Sequence, residues 1–206
     1  RQGDEQKAVE YFRRALTVFP DHTQSFKALS RLLRVSCQWR LLIELYELAL
    51  DRASHQAQRI ALLLKVAQIY EDNLTDFESA MRTYQRILGI DPAHLLAIQA
   101  LQRTSEQAGV FEELVVGLDK EAALTPDNAL KLPLLQRAAE VVDESLGDRE
   151  SAIERYRAII ELDAGYHPAL TGLGRIFYRA GRWPALLEVH RLEFNAATTK
   201  PAKLGL

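Results

Sequence analysis

Between Ser79 and Pro92 the chain reads SAMRTYQRILGIDP, and 72 residues later, from Ser151 to Ala164, it reads SAIERYRAIIELDA. Ser, Ala, Tyr, Ile and Asp recur in register. A segment rewritten at a fixed interval marks stacked copies of one supersecondary unit, and this restricts the architecture more than any other feature. The pattern behind the match recurs through the chain. It appears as Ala8, Phe12 and Ala15, as Leu42, Tyr46 and Ala49, and as Ala80, Tyr84 and Ile87. Leu114 and Leu118 follow, then Ala152, Tyr156 and Ile159. Successive steps of 34 and 38 residues alternate, giving the 72-residue period.

Between these segments the apolar spacing is again helical. Phe26, Leu29 and Leu33 lie three or four apart, as do Ile60, Leu63 and Ala67. Ile98, Leu101 and Ser105, then Leu170, Leu173 and Phe177, repeat the spacing. The breaks FPDH at 19–22, IDPAH at 90–94 and TPDN at 125–128 carry the proline that ends one helix and suits the first turn of the next. Each unit therefore reads as a helix pair whose apolar stripes need neighbouring pairs to cover them. The expected fold is all-α, an α-α superhelix built as a single solenoid over 1–196. A leading second helix at 4–19 precedes hairpins at about 22–53, 56–90, 93–125, 127–163 and 165–196, with 197–206 as a linker or frayed tail. The four extra residues of the long units fall near 70–76 and 142–148, and predict an added turn on those first helices.

Leu170, Leu173, Gly174 and Phe177 resemble the first-helix half of the tetratricopeptide repeat, W-x2-L-G-x2-Y. Ala8, Phe12, Ala15 and Pro20 resemble its second-helix half, A-x3-F then P. The resemblance extends from Asp4 to about Ala196. The 38-residue steps exceed the family's usual 34, and most units lack the glycine. His190 and Glu193 replace the expected aromatic and small residue, which marks the last unit as a degenerate cap or a truncated repeat. The resemblance implies a non-enzymatic protein-interaction scaffold whose first helices line a concave groove for partner peptides.

The remaining features exclude more than they assign. Lys and Arg total 26 against 28 Asp and Glu, and this near balance argues against general nucleic-acid binding. No apolar run approaches the ~18 residues of a membrane span, and RQGDEQKAVEYF is not a signal peptide. The chain opens inside a helical pattern, as a piece of a longer protein would. A lone Cys37 leaves the compartment open, with the cytoplasm favoured over the periplasm. No phosphate-binding glycine loop, G-x-S-x-G or H-E-x-x-H is present, so neither enzymatic activity nor a cofactor is expected. His22, His55, His94 and His167 fall at the breaks and read as helix starts. Trp39, Phe111 and Trp183 recur at 72-residue spacing and read as core packing.

One constellation points to a partner. Five residues beyond the first apolar anchor of each first helix stand Arg31, Lys65, Arg103, Arg137 and Arg175. Five residues turn ~500° at 3.6 per turn, which places the cations nearly opposite the buried stripe. Given the resemblance, they form a basic ladder in the groove, widened by Lys27, Arg34 and Arg179, with Tyr178 as an aromatic contact. The expected partner is an acidic protein or peptide. The competing reading gives these side chains to neighbouring surface, or to Glu106 and Glu140 three residues beyond Arg103 and Arg137. Lys27 and Arg31 also match one arm of the family's carboxylate clamp, but Leu62 stands where the next helix would need a polar residue. A structural spacer, or self-association through open repeat ends, is the alternative function.

Overall fold

The computed structural model describes residues Lys7, 9–12, Arg14, Val18 and 22–203, with side chains as far as Ala196. The described residues at 7–18 are helical. Ala8, Ala15 and Pro20 of the leading repeat lie outside the described residues, as do 204–206. Ten α-helices follow in order: α1 (Thr23–Val35), α2 (Trp39–Arg52), α3 (Gln56–Gln68), α4 (Phe77–Ile90), α5 (Leu95–Ala108), α6 (Phe111–Leu124), α7 (Asn128–Glu144), α8 (Arg149–Leu162), α9 (His167–Arg179) and α10 (Trp183–Lys203). No strand occurs among the described residues, and none of their helices is long and apolar enough to cross a membrane. The described residues are all-α, with consecutive helices packed on one another from α1 to α4 and from α6 to α10.

The chain divides into two compact units, Arg1–Ala97 and Ile98–Leu206. In the first, α1 packs on α2, α2 on α3 and α3 on α4. Its core is the apolar spacing read from the sequence: Leu29, Leu33, Leu42, Tyr46, Leu63, Ala67, Ala80, Tyr84 and Ile87 are all buried. In the second unit α6 through α10 pack in succession around Leu114, Leu118, Ala138, Val142, Tyr156, Leu170 and Phe177.

Both long first helices carry an added turn, by different means. After α3 the backbone continues as a π turn over Ile69–Asn73, whereas α7 simply runs for 17 residues. In each case an aspartate ends the detour and starts the next helix. The Ser79 N–H donates to Asp76 Oδ1 at 3.1 Å, and the Ser151 N–H donates to Asp148 Oδ1 at the same distance. The serine hydroxyls return bonds of 2.8 and 2.7 Å to the aspartates' second oxygens, so one side-chain pair fixes both helix starts. His22 and His94 likewise accept from Ser25 N–H and Ala97 N–H, both at 3.2 Å.

The segment after residue 196 continues α10 as far as Lys203. Loss of apolar period removes a reason to pack, but Ala and Lys retain their helix propensity.

Candidate functional site

Helix α1 reads TQSFKALSRLLRV, with no acidic residue, and it sets Lys27, Arg31 and Arg34 at i, i+4 and i+7 on one stripe. Its buried stripe, Leu29 and Leu33, fixes the helix rotation that turns these three outward. Helix α3 contributes Lys65, exposed, one step beyond the buried Leu62 and Leu63. The fold brings all four cations to one cleft of about 270 Å³, lined also by Phe26, Ser30 and Tyr46.

The floor of the cleft is aromatic. Phe26 and Tyr46 meet with ring centroids 6.0 Å apart at 46°. Lys65 Nζ stands 5.6 Å from the Tyr46 centroid, within cation–π range. Arg34 Nη2 donates to the Tyr46 hydroxyl at 3.2 Å. Ser30 Oγ is buried and has no hydrogen-bond partner among the described residues. Among the described residues no carboxylate lines this cleft. A larger cleft of about 760 Å³ adjoins it, sharing Phe26, Lys27 and Lys65 and adding Leu45, Leu48 and Leu62. Glu44 supplies a carboxylate only to this second, mainly apolar space. Leu62, which interrupts the clamp pattern in sequence, is part of its wall.

The other cations of the ladder are placed differently. Arg103 is exposed on α5. Arg137 donates to Glu106 at 2.6 Å, across 31 residues from one first helix to the preceding one. Glu140, three residues after Arg137, accepts instead from Gln136 at 2.8 Å. Arg175, half-buried, meets Glu144 at 2.8 Å and Asp143 at 3.7 Å, and Arg179 reaches the same Asp143 at 3.7 Å. For Arg137 the acidic neighbour is therefore Glu106 of the preceding first helix and not Glu140 of its own. Within a helix an i,i+3 spacing is visible in sequence, whereas the register between helices is not.

Second helices use the same device. Arg86 makes a two-point contact with Glu47 at 2.6 and 2.9 Å, which holds the guanidinium above its ordinary pKa. Arg155 does so with Asp119 at 2.8 and 2.9 Å. Arg182 pairs with Glu150, whose pKa falls chiefly through that bond. Each tie joins adjacent repeats, the nearest-neighbour coupling on which a repeat array depends.

A buried polar cluster accompanies the ties in the second unit. The Asp143 side chain is 3% exposed, and its Oδ2, the Tyr156 hydroxyl and Arg175 Nε have no hydrogen-bond partner among the described residues. Burial, followed by the charge of Glu140, pushes the Tyr156 hydroxyl up to about 12. Gly172 makes room for the tyrosine: a Cβ there would lie 2.5 Å from Tyr156 Cζ. Gly174, the glycine of the repeat motif, has ordinary 3.6 Å neighbours, so the packing needs the other glycine.

Tyr178 is exposed and stacks edge-on against Trp183, with centroids 5.7 Å apart at 82°. The aromatic triplet is not uniformly core. Phe111 packs against the second unit's core and Trp39 is half-buried, but Trp183 is 60% exposed. No described helix follows α10 to cover it.

Paired helices repeated along the chain, with charged ties between neighbours, define a helical-repeat protein. The family model described as Tetratricopeptide repeat matches residues 1–22 and 60–94 of the chain. Proteins of this family bind proteins or peptides and are generally non-enzymatic scaffolds. Among solved structures the chain is similar to MamA protein, at 19% identity over 89% of this chain and 96% of that one, with a TM-score of 0.48. It is also similar to the TPR-like repeats of a putative kinesin light chain from Podosopora anserina, at 19% identity, 88% and 98% coverage and a TM-score of 0.47. BtubC from P. vanneervenii aligns at 15% identity over 99% of this chain and 91% of that one, with a TM-score of 0.44. No curated protein sequence matches the chain.

Proposed function

We propose that the protein is an interaction scaffold that holds an acidic segment of a partner protein at the α1–α3 cleft of its first unit. A single observation carries this reading: four cations, Lys27, Arg31, Arg34 and Lys65, converge on one aromatic-floored cleft that has no carboxylate among the described residues. Acidic side chains would make charge-assisted bonds there, and an apolar neighbour would enter the adjoining Leu45–Leu48–Leu62 space. Arg137, Arg175 and Arg179 serve chiefly as ties between repeats. The sequence ladder then contracts to its first two rungs with Lys27 and Arg34.

Titration calorimetry with Glu-rich peptides carrying one Leu or Phe tests the reading. Binding by the wild type and loss of at least tenfold in affinity for Arg31→Glu/Lys65→Glu are expected. Equal binding by that variant, with helicity unchanged, would refute the site.

A self-associating role has one specific observation in its favour, the exposed Trp183, Leu187 and Phe194 on α10. Sedimentation over a concentration series discriminates: a strict monomer rejects it.

A further inference from the structure

The cleft holds more positive charge and more donors than a carboxylate can use. Lys27, Arg31 and Arg34 share one face of α1 with no acid on that helix, although like charges at i,i+3 and i,i+4 oppose helix formation. Lys65 adds a fourth charge from α3. Ser30 lies between Lys27 and Arg31, and its buried Oγ has no partner. Tyr46 contributes a hydroxyl already turned toward Arg34. A carboxylate brings one charge and two oxygens. A phosphorylated side chain brings ≈ −1.5 to −2 at neutral pH and three strong acceptor oxygens, which matches planar guanidinium forks backed by ammonium groups.

We propose that this cleft is a phosphoryl-group pocket, and that the acidic segment bound there is a phosphorylated peptide of a partner protein. The inference rests on the acidic-segment reading above. Arg31 and Arg34 grip the phosphate oxygens, and Lys27 and Lys65 neutralise the remaining charge. An apolar residue flanking the phosphorylated position seats in the larger cleft beside Leu45, Leu48 and Leu62. The peptide source is favoured because that second cleft opens directly off the first and is mainly apolar, which suits a side chain and not a free ion.

The experiment measures binding of the full chain to three matched sets of 12-residue peptides by fluorescence anisotropy. The sets carry a central phosphoserine, Glu or Ser, each flanked by Leu or Phe. The expected result is affinity for the phosphoserine set at least tenfold above the Glu set, with no binding of the Ser set. Lys65→Gln should narrow the phosphoserine-to-Glu ratio severalfold, and Arg31→Gln should abolish it, with circular dichroism unchanged. Equal affinity for phosphoserine and Glu peptides overturns the phosphoryl pocket and leaves the acidic-segment reading standing. Failure of both sets overturns both. Inorganic phosphate, or vesicles with 5% phosphoinositide, binding as tightly as the phosphopeptide would overturn the peptide source.

Discussion

The two units set one tyrosine in the same slot and treat its hydroxyl in opposite ways. Tyr84 and Tyr156 occupy equivalent places in the repeated segment, and both are fully buried. Thirteen residues upstream of each stands a buried acid, Glu71 in the first unit and Asp143 in the second. Tyr84 donates to Glu71 Oε2 at 2.9 Å. Asp143 is one methylene shorter; Tyr156 is left unbonded, and the carboxylate faces Arg175 and Arg179 instead. A difference of one CH₂ at a repeat position thus accompanies the presence of the tyrosine–acid bond in the first unit and its absence among the described residues of the second. Repeats keep packing in register while polar partners are rewired, and that is how one array acquires unlike surfaces.

The largest expected effect comes from the glycine that accommodates the unbonded tyrosine. Gly172→Ala drives a methyl against the buried Tyr156 ring and should destabilise by about 1–3 kcal/mol, as overpacked cores do. Ala at Gly174, with 3.6 Å neighbours, should cost less than Gly172→Ala. Urea midpoints compare the two, and an equal shift would break the assignment of Gly172 to Tyr156.

Alkaline titration sharpens the same contrast. With its folded pKa near 12 against an unfolded value near 10, Tyr156 holds its proton more tightly in the native state. Its contribution is therefore complete below pH 10 and is lost as pH rises toward 12, by about 1.4 kcal/mol per pH unit in that window. Denaturation from pH 9 to 11.5 should show this slope, and Tyr156→Phe should flatten it. Hydroxyl removal separates the tyrosines at neutral pH too. Tyr84→Phe deletes a bond to a buried carboxylate and should cost about 1–2 kcal/mol, whereas Tyr156→Phe should be neutral or slightly stabilising. Asp143→Glu lengthens the acid to the reach of Glu71 and should stabilise by about 0.5–1 kcal/mol if it bonds Tyr156.

The parts legible in sequence were those written within one helix. Apolar spacing located Leu29, Leu63, Ile98 and Leu170, all buried, and the turn residues His22 and His94 do cap their helices. The added turn after Ala67 was visible as four surplus residues, although its π geometry was not. Contacts between helices were hidden, because they depend on rotation and register that no spacing records. Hence Arg137 met Glu106 rather than Glu140. Trp183 shares its sequence position with Phe111 but not its burial, a difference that spacing does not record. The cleft was half legible: Arg31 and Lys65 carried a repeat signal and Lys27 and Arg34 stood near them on the helix, while Ser30 and the Tyr46 hydroxyl had none.

The smallest effect offers the sharpest test of how the two sets of cations differ, because their signs are opposite. Arg137 is paired with Glu106, so Arg137→Gln should destabilise by about 0.2–1 kcal/mol, the range of a largely exposed ion pair. Arg31 has Lys27 four residues before it and Arg34 three after, and no carboxylate within ion-pair distance among the described residues. Arg31→Gln removes two like-charge contacts and should stabilise the free protein by about 0.4–1 kcal/mol. Salt screens both effects, so urea midpoints of the two variants should diverge from wild type in opposite directions at 20 mM salt and converge on it at 1 M. If Arg31→Gln destabilises as Arg137→Gln does, the first-unit cations are structural ties like the rest, and the division between a binding cleft and a stapled array collapses.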